Sequence, residues 1–380
     1  MQAVNAITVA DLRQIARRKL PRAVFDFIDG GAEEEITLRA NMADFDAILL
    51  KQRILTNVAH TELGRDILGS AAAAPLMIGP TGLANLAYPH AEEVLAGEAA
   101  KAGIPFVLST GSGSTLEEVA STGPGRRWFQ LYVFKDRSVT EKLIARAQTS
   151  GYEALVITVD VPVVGKRRRD VRNGFTIPLR LNAASMLDFA LHPGWCLNIL
   201  RHGVRAPRNF IDVVGSASAT SHAVFMNSQL DPSVDWQIIP WLRERWDGKI
   251  LLKGVLSVED ATEAMAQDID GIIVSNHGGR QLDSVASSIR MLSKIARHTD
   301  KSTPLFLDSG IRRGSDIVKA VALGAQAVLI GRPTLYAAAA GGPAGVRHCL
   351  NMLFDDMHRT LAQIGRASIN DVDESCLEQL

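Results

Sequence analysis

The sequence "GIIVSNHGGRQLD" at residues 271–283 decides the fold. Its first four residues form an apolar run that predicts a short buried strand. The run leads into a histidine, two glycines and an arginine, and a surface turn needs neither the imidazole nor the cation. Barrels of parallel strands carry their reactive groups at the carboxyl ends of the strands. If the chain forms such a barrel, further apolar runs should recur along it.

Seven further short apolar runs recur along the chain. They cover residues 74–80, 104–110, 127–133, 154–160, 249–255, 304–310 and 327–333. Helical patterns lie between most of them, for example at 91–103 and 139–151. The runs are continuous and not alternating, which is typical of parallel strands buried on both faces. Eight strands with intervening helices predict an α/β fold, the (β/α)8 TIM barrel.

The spacing of the strands predicts how the chain is organised. About ninety residues separate the fourth run from the fifth, so we expect an insertion at about 166–235, after strand four and at the catalytic face. The first ~70 residues form a helical N-terminal segment in which "GGAEEE" (30–35) marks a turn and a helix start. We expect one domain over 1–380, with the barrel at about 72–360.

Composition excludes several classes of protein. The formal net charge is zero, so nothing points to a nucleic-acid partner. Cys196, Cys349 and Cys376 are too far apart to suggest a disulfide framework or a metal site, and they fit a reducing compartment. The N-terminus lacks the apolar core of a signal peptide. Residues 67–89 carry no charge, but prolines and glycines interrupt them, which indicates a strand and a loop and not a membrane span.

The ends of the last two strands predict a phosphate site. "DSGIRRG" (308–314) and "LIGRP" (329–333) offer glycine amides together with Arg312 and Arg332. Barrels commonly bind phosphate after strands seven and eight. Either arginine alone could equally be a solvated surface residue. Their joint placement favours phosphate.

A flavin mononucleotide (FMN) fits this phosphate site better than a nicotinamide does. "TGSGST" (110–115) begins like a dinucleotide-binding loop, but Leu116 stands where the third glycine is needed. A flavin ring needs polar partners and a cation near its N1 edge. Gln130, Thr158 and Lys253, all at predicted strand ends, are suitable.

His277 is the candidate base. A single histidine in a barrel is more often structural, but Arg280 follows three residues later. Asp160, at another strand end, could orient the ring and stabilise its protonated form. Arg280 and Arg167 could hold a carboxylate. Arg167 lies in the run "KRRRD" (166–170), which by default is a solvated charged face.

The ordered motifs resemble one family, the FMN-dependent α-hydroxy-acid dehydrogenases and oxidases. The stretches that carry the resemblance are "SNHGGRQLD" (275–283), "WFQLYV" (128–133), "LVITVDVP" (155–162), "LLKGV" (251–255), "DSGIRRGSDIVKA" (308–320) and "LIGRP" (329–333). The chain looks most like the membrane-associated bacterial dehydrogenases of mandelate and lactate. The resemblance implies oxidation of an (S)-2-hydroxy acid, mandelate-like or lactate-like, to the 2-keto acid by a homotetramer.

The resemblance also assigns roles to individual residues. It implies that His277 is the base, Asp160 its partner, Tyr132 the phenol at the substrate oxygen, Arg167 and Arg280 the carboxylate ligands, and Lys253 the cation beside the flavin. It further implies that FMN contacts Thr81, Gly82, Ser109, Gln130, Thr158, Ser275, Asp308, Arg312, Gly331 and Arg332. A glycine at position 82 favours a dehydrogenase over an oxidase. No metal ligand is expected.

Two positions bear on the substrate. The family usually has a tyrosine that binds the substrate carboxylate where this chain has Phe27. The lost hydroxyl puts the affinity for simple hydroxy acids, or the identity of the substrate, in question. Plant-type oxidases of the family carry a tryptophan where this chain has Gly111, so we expect space there for a bulky, mandelate-like substituent.

Residues 180–210 predict contact with a membrane surface. The segment contains four arginines and a single acid, Asp188, among leucines, Phe189 and Trp195. The arginines are Arg180, Arg201, Arg205 and Arg208. Such a mixture suits the surface of an anionic membrane, and the segment is similar to the membrane-binding segment of the mandelate dehydrogenases. A lid helix packed on the barrel or on another subunit is the alternative. We expect peripheral attachment at the cytoplasmic side of the inner membrane, with electrons passed to a quinone-type acceptor.

Three rival functions stay open at this level. One is a hydroxy-acid oxidase that uses O2 and releases H2O2. The second is a flavin barrel that catalyses a non-redox reaction such as an isomerisation. The third is a flavin-binding relative whose Phe27 marks lost activity.

Overall fold

Eight parallel strands close a barrel in the computed structural model, which describes residues 2–175, 183–203, 205, 207–210, 219–299 and 303–378. Strands β1 (Arg65–Ile67) and β2 (Ser70–Ala72) form a hairpin ahead of the barrel. The barrel strands are β3 (Leu76–Ile78), β4 (Phe106–Ser109), β5 (Arg127–Leu131), β6 (Ala154–Thr158), β7 (Lys249–Val255), β8 (Gly271–Val274), β9 (Leu305–Asp308) and β10 (Ala325–Ile330). β10 pairs with β3 and closes the ring, so the TIM-barrel prediction is confirmed.

Helices follow most of the barrel strands. Those of the described residues are α1 (Val9–Lys19), α2 (Arg22–Asp29), α3 (Ile36–Ala47), α4 (Ala91–Lys101), α5 (Leu116–Ala120), α6 (Arg137–Thr149), α7 (Arg168–Arg172), α8 (Ala183–Ala190), α9 (Pro193–His202), α10 (Ala219–Gln229), α11 (Ile238–Arg243), α12 (Val258–Ala266), α13 (Ser288–His298), α14 (Gly314–Ala322) and α15 (Arg332–Gln363). Gly341 and Gly342 break α15 into two helices.

Apolar side chains fill the part of the barrel that lies below the carboxyl ends of the strands. Met77, Val107, Trp128, Val156 and Phe306 are fully buried there. The rings of Trp128 and Phe306 meet edge to face, with centroids 5.8 Å apart. Because this layer is solid, the polar groups at the strand ends can meet only above it, at the carboxyl end of the barrel.

The N-terminal helices bring α2 to that end of the barrel. Asp29, the last residue of α2, accepts hydrogen bonds from Arg13 Nε and Nη2 (2.5 and 2.8 Å) and from the Tyr336 hydroxyl (2.7 Å). Arg169 Nη1 also donates to Asp29, at 3.0 Å. The carboxylate thus joins α1, α2, the segment after β6 and the helix after β10, and it fixes where Phe27 of α2 lies.

The long connection between β6 and β7 carries helices α7 to α11. Of the predicted insertion, residues 176–182, 204, 206 and 211–218, and with them Arg180, lie outside the described residues. Lys135 N donates to Gln229 O (2.8 Å), and Phe134 bridges to Leu230, so the end of α10 is attached to the loop after β5. No helix in the described part of the chain is long and apolar enough to cross a membrane.

Two arginines of the predicted membrane segment pair with carboxylates of the protein. The sequence analysis counted Arg205 and Arg208 among the charges offered to lipid, and each of them binds an acidic side chain. Arg205 Nη1 lies 3.2 Å from Glu93 Oε1, and Arg208 forms an ion pair with Glu118. The sequence could not reveal these partners because they lie on α4 and α5, some ninety residues or more earlier.

Candidate active site

A cavity opens at the carboxyl ends of the barrel strands, and most of the predicted site residues line it. The lining residues named from the sequence are Phe27, Thr81, Gly82, Ser109, Gly111, Gln130, Tyr132, Thr158, Arg167, Lys253, His277, Arg280, Asp308, Arg312, Gly331 and Arg332. Asp160 and Ser275 stand behind the lining and contact it. We call this space the active-site cavity.

His277 and Asp160 form a hydrogen-bonded pair. His277 Nδ1 lies 3.0 Å from Asp160 Oδ1. Burial raises the pKa of Asp160, but the imidazole of His277 outweighs it, and the pKa is lowered overall. An ionised carboxylate accepts from Nδ1–H, which leaves Nε2 as the ring nitrogen that can take a proton.

The backbone around this pair is unusual in two places. His277 has φ +57°, in the left-handed region that residues other than glycine seldom occupy, and its N–H donates to Ser275 Oγ at 3.0 Å. Gly254 has φ +110°, and a Cβ there would lie only 2.6 Å from Asp160 Cβ. Glycine at 254 therefore allows the carboxylate to pack against β7.

Two partly buried guanidinium groups face the cavity beside the pair. Arg280 Nη1 donates to Phe27 O (2.7 Å) and Gly30 O (3.0 Å), at the carboxyl end of α2. Arg167 Nε donates to Asp170 Oδ2 at 2.6 Å. The pKa of Arg280 lies well below its ordinary value because the group is buried and because Arg167 and Arg332 are nearby cations. Positive charge is thus in excess here, and an anion would be stabilised.

Phe27 packs against both guanidinium groups. The Cζ atoms of Arg167 and Arg280 lie 5.7 and 5.2 Å from the centre of its ring. The ring of Phe175 lies 5.3 Å from it. Such cation–π contacts stabilise the arginines but donate no hydrogen bond to a ligand.

Tyr132 stays protonated at neutral pH. Burial raises the pKa of its phenol, and the negative charge of Asp160 adds to the shift. The hydroxyl is therefore available as a hydrogen-bond donor within the cavity.

One wall of the cavity offers polar groups that suit the flavin ring. Lys253 Nζ lies 2.9 Å from Asp308 Oδ2 and 2.9 Å from Ser275 Oγ. Burial lowers the pKa of Lys253, but Asp308 and Asp160 raise it more, so the ammonium is kept. Gln130 Nε2 and Thr158 Oγ1 are buried and have no hydrogen-bond partner among the described residues. Unsatisfied groups of this kind call for a ligand with polar edges, and an isoalloxazine has them.

Another part of the cavity fits a phosphate. Helix α15 begins at Arg332, so its first amides point to this end. Arg332 donates from Nε to Ile28 O (3.1 Å) and from Nη2 to Gly30 O (2.8 Å), and burial lowers its pKa. Its Nη1 lies 2.6 Å from where a Cβ on Gly278 would stand, and Gly278 has φ +66°, so a side chain at 278 would strain the backbone and displace the guanidinium. The residues present therefore fit FMN.

Sequence reasoning missed three contributors to the site. Asp170 orients Arg167, and Ser309 Oγ accepts from Gly278 N at 2.9 Å. Met226 lines the cavity from α10. Asp170 and Ser309 lie within stretches that were recognised, "KRRRD" and "DSGIRRG", but nothing in the sequence places Met226 in the cavity, because helix packing decides its position.

Met226 borders the space expected at Gly111. A Cβ built on Gly111 would stand 3.5 Å from Met226 Sδ. Part of the space left by the missing side chain is therefore taken by Met226.

Fold and site together are those of a flavin-binding barrel, with a histidine–carboxylate pair, guanidinium groups and a polar cleft in one cavity. Among the described residues, no group of histidine, cysteine and acidic side chains could hold a metal ion. Comparison with known proteins identifies the family within this class. The family model described as FMN-dependent dehydrogenase matches residues 16–379.

Similar proteins cover nearly the whole chain. (S)-Mandelate dehydrogenase of Pseudomonas putida is 44% identical over 374 residues, which are 98% of this chain and 94% of that protein. L-Lactate dehydrogenase of Pseudomonas syringae pv. syringae is 40% identical over 97% of this chain and 98% of that one. The crystal structure of the monotopic membrane protein (S)-mandelate dehydrogenase superposes with a TM-score of 0.95, at 43% identity, over 99% of this chain and 100% of that chain.

The chain therefore belongs to the FMN-dependent dehydrogenase family. It is a flavoenzyme with FMN as its cofactor, an oxidoreductase that acts on the CH–OH group of 2-hydroxy acids. The family and the cofactor predicted from the sequence are confirmed.

Proposed function

We propose that the protein oxidises an (S)-2-hydroxy acid with an aromatic or other large apolar substituent to the 2-keto acid. The observation that carries the proposal is the His277–Asp160 pair (3.0 Å) in the same cavity as the guanidinium groups of Arg167 and Arg280. A 2-hydroxy acid needs both, because its carboxylate must be held while its hydroxyl gives up a proton.

In this proposal the two arginines bind the carboxylate and His277 acts on the hydroxyl. Arg280 holds α2 through Nη1, and among the described residues its other nitrogens donate no hydrogen bond, so they can meet a carboxylate. Nε2 of His277 takes the proton, and the ionised Asp160 stabilises the resulting imidazolium. The Tyr132 hydroxyl donates to the substrate oxygen.

FMN supplies the two-electron acceptor for this oxidation. We propose that Gln130, Thr158 and Lys253 hold the ring, and that Arg312, Arg332 and the amides near Gly331 hold the phosphate. The remaining predicted contacts are Thr81, Gly82, Ser109, Ser275 and Asp308. The support is that all of them except Ser275 line the cavity, and that Ser275 bonds to Lys253.

The preference for a mandelate-like acid has two supports. A mandelate dehydrogenase is among the most similar proteins, at 44% identity. Phe27 turns an apolar ring to the cavity where the resemblance leads us to expect a hydroxyl. A lactate-like acid is the second candidate, because lactate dehydrogenases are nearly as similar.

We propose that electrons leave to a quinone-type membrane acceptor, and that the protein attaches peripherally, at the cytoplasmic side of the inner membrane. The support is the pair of helices α8 and α9. Phe189 and Trp195 pack together, and Trp195 Nε1 donates to Leu86 O (2.9 Å), so one face is docked on the protein. The other face exposes Met186, Leu187, Leu191, Leu197 and Leu200.

Positive charge beside α8 and α9 comes from Arg201, which the sequence suggested and which is exposed on α9, and also from another part of the chain. A groove next to them is lined by Arg17, Arg22 and Arg172 together with Asp188 and His192. Arg17 and Arg172 are exposed and form no ion pair among the residues that the structure describes. This groove, with the exposed leucines beside it, would suit an anionic membrane surface. A homotetramer stays a prediction.

Anaerobic mixing tests the reaction. The purified yellow protein is mixed with (S)-mandelate, (S)-lactate, glycolate and longer 2-hydroxy acids, and the flavin absorbance band is followed. Bleaching by one of them, abolished in His277→Ala, is the expected result. No bleaching by any acid in FMN-loaded protein would refute the proposal. Reoxidation by a quinone analogue compared with O2 then separates a dehydrogenase from the rival oxidase.

A further inference from the structure

Met226 reaches the active-site cavity from α10, a helix of the long connection between β6 and β7. A Cβ built on Gly111 would stand 3.5 Å from Met226 Sδ and 3.7 Å from Met226 Cε. Both are ordinary van der Waals separations. The thioether therefore lies directly over Gly111 and occupies space that a side chain at 111 would otherwise take.

Backbone of the barrel loops lies next to Met226 at this place. Gly82 Cα lies 3.7 Å from the same Cβ position, and Leu83 N donates to Gly111 O at 3.0 Å. Two glycines from neighbouring loops thus form a flat floor. The shape of the cavity above that floor depends on the side chain that α10 contributes.

Helix α10 is held firmly on either side of Met226. The ring of Phe225 packs on Phe210 at 5.9 Å, and Phe210 packs on Phe134 at 5.3 Å. Three residues further on, Lys135 N donates to Gln229 O at 2.8 Å. The backbone of Met226 is therefore fixed, while its unbranched thioether can adapt to what it touches.

We infer that Met226 is a specificity-determining residue, whose thioether contacts the group on C2 of the substrate and selects an aromatic or other large apolar group. The inference rests on the proposed oxidation of a 2-hydroxy acid. Sulfur makes favourable contacts with aromatic rings. A phenyl group gains such contacts, whereas the methyl group of lactate has too few atoms to gain much.

The test compares substrates across variants of the full-length, FMN-loaded protein. Met226→Ala is expected to lower kcat/KM for (S)-mandelate about tenfold and to leave (S)-lactate within about twofold. It is expected to raise the relative activity with a larger acid such as 2-hydroxy-4-phenylbutanoate. Met226→Leu, which keeps the side-chain volume, is expected to restore the preference for mandelate. Val224→Ala, at a half-exposed position of the same helix, is the matched control.

Binding of unreactive acids gives a readout that does not depend on turnover. By calorimetry, Met226→Ala is expected to weaken phenylacetate about tenfold relative to wild type and to leave acetate unchanged. An equal loss for both acids, or none for phenylacetate, would overturn the inference. Wild-type protein that bleaches with no hydroxy acid would instead overturn the proposed function, so the two failures are distinguishable.

Discussion

Phe27 lacks the hydroxyl of the tyrosine that the family usually has at this position, but it keeps the aromatic ring. Its face supports the guanidinium groups of Arg167 and Arg280, and its carbonyl accepts from Arg280 at 2.7 Å. A tyrosine could keep both functions. A phenol on a charged acceptor contributes about 1.5–3 kcal/mol. Phe27→Tyr is therefore expected to lower KM for hydroxy acids about tenfold or more, with little change in kcat.

Phe175→Tyr controls for the added hydroxyl. Its ring lies 5.3 Å from that of Phe27, but Phe175 is not among the residues that line the cavity. Steady-state kinetics with mandelate and lactate should show the fall in KM for the Phe27 variant alone. An unchanged or higher KM in Phe27→Tyr would mean that the carboxylate does not bind next to this ring.

Asp160 acts on the reaction through His277, to which it is hydrogen-bonded. An asparagine would keep the shape but remove the charge that stabilises a protonated ring, and it could hold the wrong tautomer. Asp160→Asn is expected to slow anaerobic flavin reduction by about 10²-fold or more, while substrate Kd changes little because the arginines are intact. Stopped-flow spectroscopy measures both quantities. Asp268→Asn, at a fully exposed acid, is the control, and equal rates in the two variants would exclude the proposed role.

At the scale of elements, helix α2 joins the cofactor and substrate ends of the cavity. Its carboxyl end presents Phe27 O, Ile28 O and Gly30 O, which accept from Arg280 and Arg332. These carbonyls form the negative end of the helix, which stabilises the two cations. One short helix thus positions an arginine proposed for substrate and another proposed for phosphate.

Helices α8 and α9 carry the prediction about the membrane. Leu191 and Leu200 are 71% and 82% exposed, so acidic substitutions there should not disturb the fold. Burying a leucine contributes about 1.5–3 kcal/mol. The double variant Leu191→Asp, Leu200→Asp is expected to lose at least about tenfold in affinity for vesicles that contain anionic lipid. Vesicle co-sedimentation measures this.

A second pair of exposed apolar residues serves as the control. Ile54 and Leu55 lie in another segment and are 74% and 100% exposed. Ile54→Asp with Leu55→Asp should bind vesicles like wild type. Arg17→Gln with Arg172→Gln should weaken binding mainly at low salt, because exposed charges are screened at high salt. Equal binding by all variants would contradict the membrane assignment.

At the scale of the whole molecule, the barrel and most of its cavity could be predicted from the sequence. Strands buried on both faces are continuous apolar runs, and their ends carry polar residues in chain order. The contacts across the insertion could not be predicted. Met226 meets Gly111, and Arg205 meets Glu93, only because α10 and the segment after α9 pack back on the barrel. No local pattern encodes such packing.

The same limit applies to Asp29. The sequence gives no sign that this acid is central, but its carboxylate is 4% exposed and binds Arg13, Arg169 and Tyr336. Burial raises the pKa of Asp29, and the hydrogen bonds from Arg13 and Tyr336 outweigh that effect, so the pKa is lowered to about 2. The unfolded chain has the ordinary value of 3.8.

A stability difference that depends on pH follows from this shift. A carboxyl group with a lowered folded pKa stabilises the fold fully above its unfolded pKa and loses that contribution as pH falls through the folded value. The Asp29→Asn variant should therefore be less stable than wild type by about 2–3 kcal/mol at pH 7, because it removes the charge that the partly exposed Arg13 and Arg169 bind. The difference in free energy of unfolding between the variant and wild type should become smaller below pH 4. Near pH 2 it should be smaller by about 2 kcal/mol than at pH 7. Urea unfolding with excess FMN at several pH values measures this difference. The control variant Asp268→Asn should show no difference from wild type. A difference that stays constant down to pH 2 would mean that Asp29 does not hold its charge through this network.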